Sequence, residues 1–217
     1  MAIVPRILAV EAALAAILFT AAGRMDLPWF WAVLALHATL MAAGMLAIDP
    51  DLRKERLRPG PGGTSRRVRF FALPLVLAHL VVAGMDVGRF GWSGPMPVAV
   101  QAGALLGYAA GMGLSIWAMA ANRFFSPVVR IQAERGHHVV SSGPYRFLRH
   151  PGYTGLLVGT VCGGIALGSW WSLLPLVPLV ALFLHRTALE DRFLREGLVG
   201  YADYARRVRF RLVPGLW

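Results

Sequence analysis

The sequence predicts an all-α, polytopic integral membrane protein with about five transmembrane helices, the last of them a bent helical hairpin. Three observations carry that expectation. Hydrophobic residues fill 57% of the 217 positions and charged residues only 15%, a balance far too apolar for an ordinary soluble domain. Four apolar runs within residues 1–121 each approach the roughly 20 residues needed to cross a bilayer core. Basic residues alternate by side between those runs, as the positive-inside rule requires of a membrane chain.

The first span is read over residues 7–23, ILAVEAALAAILFTAAG. It is kept as an anchor rather than a signal peptide, because a second span follows directly and no small-residue cleavage site leads into a soluble domain. Residues 29–48, 70–85 and 97–120 supply the second, third and fourth spans. The second connection carries Arg53, Lys54, Arg56, Arg58, Arg66, Arg67 and Arg69, against Arg24 alone in the first and Arg89 alone in the third. That asymmetry puts the second connection, both termini and residues 122–150 in the cytoplasm, with all but two of the 22 Lys+Arg. In a bacterium the membrane is the inner one. The sidedness accounts for a formal charge of +11 and a pI of about 11.3 without a nucleic-acid partner. Membrane lipids with anionic headgroups are drawn to the same surface.

Two domains follow: residues 1–121 as four spans, and residues 122–217 as the functional region. Within the second, TGLLVGTVCGGIALGSWWSLLPLVPLVALFLH (154–185) is apolar throughout. Gly168-Ser169 followed by Trp170-Trp171 reads as a turn at a membrane interface, where tryptophan rings settle. The halves make a helical hairpin that enters and returns, with Pro175 and Pro178 expected to bend the returning arm. The chain then turns polar over 185–212, HRTALEDRFLREGLVGYADYARRVRFRL, a cytoplasmic helix with a tail.

GPYRFLRHPGYTG, residues 143–155, is the most informative stretch. The hairpin brings Arg149-His150 at its entrance to the same depth as His185-Arg186 at its exit. Arg186 and Glu190, four apart, share a helical face that presents a cation and a carboxylate together, while Asp191 begins the neighbouring stripe. Plainer readings exist for each feature. Gly-Pro and His-Pro-Gly also make ordinary turns, and an Arg–Glu pair at this spacing is commonly a helix-surface ion pair. His37 and His79, inside predicted spans, are expected to be hydrogen-bonded packing residues. Glu11, one turn past Arg6, is expected to pair with it near the interface. Cys162 is the one cysteine, so neither an intrachain disulfide nor a multi-cysteine metal site is expected, and no Walker loop, His-Glu-x-x-His or Gly-x-Ser-x-Gly occurs.

VVRIQAERGHHVVSSGPYRFLRHPGYTG, followed by RTALEDRFL and YADYARRV, resembles the isoprenylcysteine carboxyl methyltransferase family, which is related to membrane phospholipid methyltransferases. The resemblance spans residues 122–213, with its pieces in family order and spacing. It implies an enzyme that binds S-adenosylmethionine in a cytoplasm-facing pocket and methylates a lipid-like or amphiphilic acceptor arriving from the bilayer. The cofactor contacts it implies are His137, His138, Val139, Val140, Tyr145, His150, Pro151, Gly152, Tyr153 and Glu190. Arg186 falls where the family contacts its substrate, so Arg186 and Glu190 are the implied catalytic pair. The family glutamine after Val-Val is Arg130 here, with Gln132 two residues on, and its paired glutamates are Glu190-Asp191. Sterol reductases share a similar C-terminal region, which makes an NADPH-dependent reductase the enzymatic alternative, with Arg130, Arg146 and Arg149 as phosphate contacts. A small transporter or scaffold is the non-enzymatic one.

Overall fold

A chain surrounded by lipid must satisfy its backbone internally, and helices do so within one segment. The runs accordingly fold as α1 (Ile3–Ala22), α2 (Pro28–Ala47), a short polar α3 (Pro50–Leu57), α4 (Ser65–Met85) and α5 (Val98–Ala121). They are followed by α6 (Pro151–Ala166), α7 (Leu176–Gly197) and α8 (Tyr201–Arg207). This computed structural model describes residues 3–60 and 65–217, with no strand among them. The side chains of Arg66, Arg67 and Arg69 lie outside the described residues. Five helical stretches there are long and apolar enough to cross a membrane: Val4–Ala22, Pro28–Ala47, Phe70–Phe90, Val98–Ala121 and Trp171–Gly197.

α6 is shorter, about 24 Å at 1.5 Å per residue, and forms the outgoing arm of the hairpin. Its principal partner is α5, and glycines set the distance between them. A Cβ on Gly155 would lie 2.4 Å from the Gly111 carbonyl oxygen, and one on Gly111 would lie 2.5 Å from the Gly159 nitrogen. Backbones this close exclude every side chain at the crossing, the small-residue packing that replaces hydrophobic association in lipid. Ser115 Oγ donates to the Gly152 carbonyl at 2.8 Å across the same seam.

The hairpin turn is fastened by a carboxylate. Asp86, fully buried in a π-helical turn after α4, accepts from the Ser93 N–H at 2.8 Å and from the Ser93 and Ser169 hydroxyls, each at 2.5 Å. Gly168 turns the chain at φ 93°, and Trp170 and Trp171 are half exposed beside it. Pro175 and Pro178 do not bend the returning arm as expected. They fall at the N-cap and in the first turn of α7, where a missing N–H removes no intrahelical bond. The two basic residues at this end are both engaged: Arg89 donates to the last α1 carbonyls, Ala21 at 2.7 Å and Thr20 at 2.9 Å, and Arg24 pairs with Asp26.

Inside the bundle Glu11 pairs with His37 at 2.6 Å, not with Arg6. Five residues of helix turn a side chain about 140° away, which aims Glu11 at α2. His79, as expected, is a packing residue hydrogen-bonded to the Ser172 carbonyl at 2.7 Å. The remaining polar segments, namely α3, residues 122–150, the end of α7, α8 and the tail, converge at the opposite, basic end.

Glycine substitutions test the α5–α6 seam. Gly155→Leu should force the helices apart and abolish recovery of folded protein from detergent. Gly113→Ala, with nothing within 4 Å of the added carbon, should leave the melting temperature unchanged or raise it.

Candidate functional site

Beyond α5 the chain leaves helical geometry at Asn122 and wraps around the basic end as loops and short 3-10 turns, Ala133–Arg135 and Gly143–Arg146. Gly143 permits this path, with φ 56° and the Trp117 indole 3.2 Å from where a Cβ would stand. The wrap leaves a cleft of about 730 Å³, counting its open mouth, within the range of small-molecule sites. His137, His138, Val139, Val140, Tyr145, His150, Tyr153 and Glu190, all singled out in the sequence, line it. Pro151, Gly152 and Arg186 do not. Pro151 is fully buried in the first turn of α6. Gly152 lies under the Phe125 ring, 2.5 Å from where its Cβ would be. Arg186 sits behind Tyr153.

Tyr153 joins the two singled-out α7 residues. Its hydroxyl donates to Glu190 Oε2 at 2.6 Å and accepts from Arg186 Nε at 2.7 Å. Arg186 also donates to the Pro127 carbonyl at 3.0 Å and lies 5.5 Å over the Tyr153 ring, leaving its direct ion pair with Glu190 at 3.8 Å. The tyrosine thus carries most of the contact between cation and carboxylate. His150 stacks parallel to the same ring, and its Nε2 is buried with no hydrogen-bond partner, 3.6 Å from Asp191. His137 packs on Phe124, and its Nδ1 accepts from the Gln132 N–H at 3.2 Å. Burial, followed by the nearby His138, Arg130 and Arg135, pulls the His137 pKa down to about 4. At neutral pH its proton therefore sits on Nε2.

Sequence reasoning missed the buried centre of this end. Asp191 accepts from Arg149 Nε at 2.7 Å, Tyr201 OH at 3.0 Å, and Arg195 Nε and Arg211 Nε at 3.1 Å each. The tail is stitched to the start of α6 by the Arg149 N–H to Phe210 O at 3.0 Å and the His150 N–H to Arg211 O at 2.9 Å. Tyr201 and Tyr204 thereby enter the cleft wall. The YADY spacing was visible, but nothing local announced its partners. Arg130, at the family's glutamine position, lines the cleft but is held by Glu55 of α3, Nε to Oε1 at 3.1 Å and Nη2 to Oε2 at 2.8 Å, and by Glu134. For Glu55 the upward push of burial is outweighed by the Arg130 and Ser126 hydrogen bonds, and its pKa is lowered.

Among the described residues, five helices long and apolar enough to cross a membrane, with a polar, ring-lined cleft beside them, define a polytopic helical membrane protein. Residues 104–196 match the model of the isoprenylcysteine carboxyl methyltransferase (ICMT) family. It is 36% identical over 90 residues to a probable protein-S-isoprenylcysteine O-methyltransferase of Oryza sativa subsp. indica, covering 41% of this chain and 47% of the relative. It is 31% identical over 90 residues to protein-S-isoprenylcysteine O-methyltransferase B of Arabidopsis thaliana, covering 41% of this chain and 46% of the relative. The chain thus spans about half the length of the curated relatives it matches.

Two measurements probe the geometry. Asp191→Ala leaves Arg149 buried without its carboxylate and should cost about 3–5 kcal/mol of stability, whereas Glu190→Ala should stay folded; comparable thermal unfolding of the two would refute the hub. For His137 the unfolded ring takes its proton near its ordinary 6.5 and the folded ring near 4. Between those values the unfolded state binds the extra proton, so stability falls as pH drops. His137→Gln should flatten that part of a melting-temperature profile.

Proposed function

We propose that the protein is an integral membrane methyltransferase that uses S-adenosylmethionine at the cleft and methylates a lipid-like, amphiphilic acceptor, with a carboxylate of the isoprenylcysteine type as the leading candidate. The observation that carries this reading is the Tyr153 hydroxyl, which ties a cleft-lining carboxylate, Glu190, to a guanidinium, Arg186, on the far side of the ring. The matched family region supports it. The basic end is read as cytoplasmic, with both termini there. Residues 1–121 serve chiefly as anchor and residues 122–217 as the reacting end.

The residues present fit the cofactor. Glu190 offers an acceptor for its ammonium or ribose, His137 Nε2–H offers a donor, and His150 Nε2, 3.6 Å from Asp191, is a buried polar atom without a hydrogen bond. Tyr145 and Tyr153 supply aromatic surface for a cationic sulfonium. Bound there, the cofactor would supply an already activated methyl group. What remains for the protein is alignment and exclusion of water, and no protein nucleophile is needed. Arg186 holds the acceptor's anionic group in fork geometry, while Tyr153 fixes Arg186 relative to Glu190. An NADPH-dependent reductase is disfavoured because Arg130 and Arg149 are already taken by Glu55 and Asp191 and Arg146 does not line the cleft.

The test uses purified protein, methyl-labelled S-adenosylmethionine, and either S-farnesylcysteine or a membrane lipid extract. Wild type should yield a labelled, base-labile ester. Arg186→Ala should bind S-adenosylmethionine nearly normally while kcat/KM falls on the order of 100-fold, with partial rescue by Arg186→Lys. Binding of NADPH in place of S-adenosylmethionine would overturn the reading.

A further inference from the structure

Arg56 belongs to α3, outside the family-matched residues 104–196. Its half-buried guanidinium lies 5.6 Å over the Phe125 ring. Its one polar partner among the described residues is the Phe125 carbonyl oxygen, 3.5 Å from Nη1, long for a charged donor. Arg130 is neutralised by Glu55 and Glu134 and Arg149 by Asp191, whereas among the described residues Arg186 is hydrogen-bonded only to the Tyr153 hydroxyl and the Pro127 carbonyl, with Glu190 at 3.8 Å. Burial lowers the Arg56 pKa from its ordinary range, and the group to which it couples is the Tyr153 hydroxyl.

Phe125 and Tyr153 are neighbours, ring centroids 6.3 Å apart, and both line the cleft, whereas neither Arg56 nor Arg186 does. Two guanidiniums therefore lie over adjoining rings of the cleft wall, Arg56 of α3 over Phe125 and Arg186 of α7 over Tyr153. Glu190, 3.8 Å from Arg186, accepts from the Tyr153 hydroxyl, and Glu55, beside Arg56 in α3, is held by Arg130. A half-buried cation without a carboxylate, separated from a second cation by two adjoining rings, is an incomplete ion cluster that an anion completes.

We propose that Arg56 is a second cationic contact for the acceptor, forming with Arg186 an anion seat behind Phe125 and Tyr153 that selects the acceptor by charge as well as by its apolar tail. This rests on the methyltransferase reading. In the transfer step an acceptor carboxylate oxygen forms the new O–C bond as the methyl–sulfur bond breaks, and the electron pair of that bond stays on the departing sulfide. The ester carries no charge, so the two guanidiniums that held the acid no longer hold the product, and release is built into the chemistry. The seat therefore distinguishes acid from ester by the charge consumed in the reaction.

Direct binding to purified protein in nanodiscs tests this, with N-acetyl-S-farnesylcysteine and its neutral carboxamide as probes. Wild type should favour the acid. Arg56→Gln should reduce that preference by about tenfold, as loss of one charge-assisted contact predicts, and leave the carboxamide and S-adenosylmethionine affinities unchanged. Arg56→Lys should restore part of it. Unchanged S-adenosylmethionine binding also certifies the fold of each variant. An acid-to-carboxamide ratio untouched by Arg56→Gln, equal weakening of both probes, or a wild type without preference would overturn the proposal. A wild type that favours the acid yet transfers no labelled methyl group would instead refute the methyltransferase reading and leave the anion seat standing.

Discussion

The basic end of the molecule depends on one buried carboxylate. Asp191 is fully buried and surrounded by donors from the start of α6, its own helix, α8 and the tail. A lone carboxylate in that position would cost several kcal/mol, and paired ions offset the cost only when their geometry and remaining hydrogen bonds are good. Here the geometry is supplied by chain segments with no other strong reason to meet. The polar tail reaches α6 through backbone bonds to Arg149 and His150, and those two residues reach the cleft. Removing the carboxylate would therefore disconnect the wall from its brace as well as cancel a charge.

Scarcity of acids makes such placements decisive. With 11 Asp+Glu against 22 Lys+Arg, the position of each carboxylate decides which cation is neutralised and which is left for a ligand. Asp86 serves the hairpin turn, Glu11 serves His37, Glu55 serves Arg130 and Asp191 serves Arg149. Glu190 is shared between Tyr153 and, more distantly, Arg186. Arg56 receives none. The distribution separates structural arginines from available ones more sharply than the positive-inside pattern, which treats them alike.

That distinction also marks what the sequence could and could not reveal. Hydropathy located the spans to within a few residues because bilayer thickness and backbone hydrogen bonding leave little choice. The cleft residues between His137 and Glu190 were legible because they sit in compact local motifs. Asp191 was seen as the start of a neighbouring stripe and as the second of the family's paired acids, but not as a hub, since its partners lie up to 42 residues away and no periodicity encodes them. The pairing of Glu11 with His37 rather than Arg6 is a matter of helical phase that a one-turn approximation blurs. The glycines of α5 and α6 were visible in the sequence, but their use as a contact seam appears only when Gly111 and Gly155 are seen facing each other.

The matched region and the remainder of the chain contribute different things to the site. Residues 104–196 hold His137, Tyr153, Arg186 and Glu190, the groups whose placement relative to one another the proposed reaction requires. The groups that set the charge around them come from outside: Glu55 and Arg56 from α3, Arg211 and the tail carbonyls from beyond α8. Glu55 neutralises Arg130 at the cleft wall, while its neighbour Arg56 adds a cation over the Phe125 ring. A helix of eight residues can in this way set the electrostatics of the cleft wall. On the proposed reading, acceptor preference is expected to diverge through α3 while the residues proposed to face the cofactor stay in place.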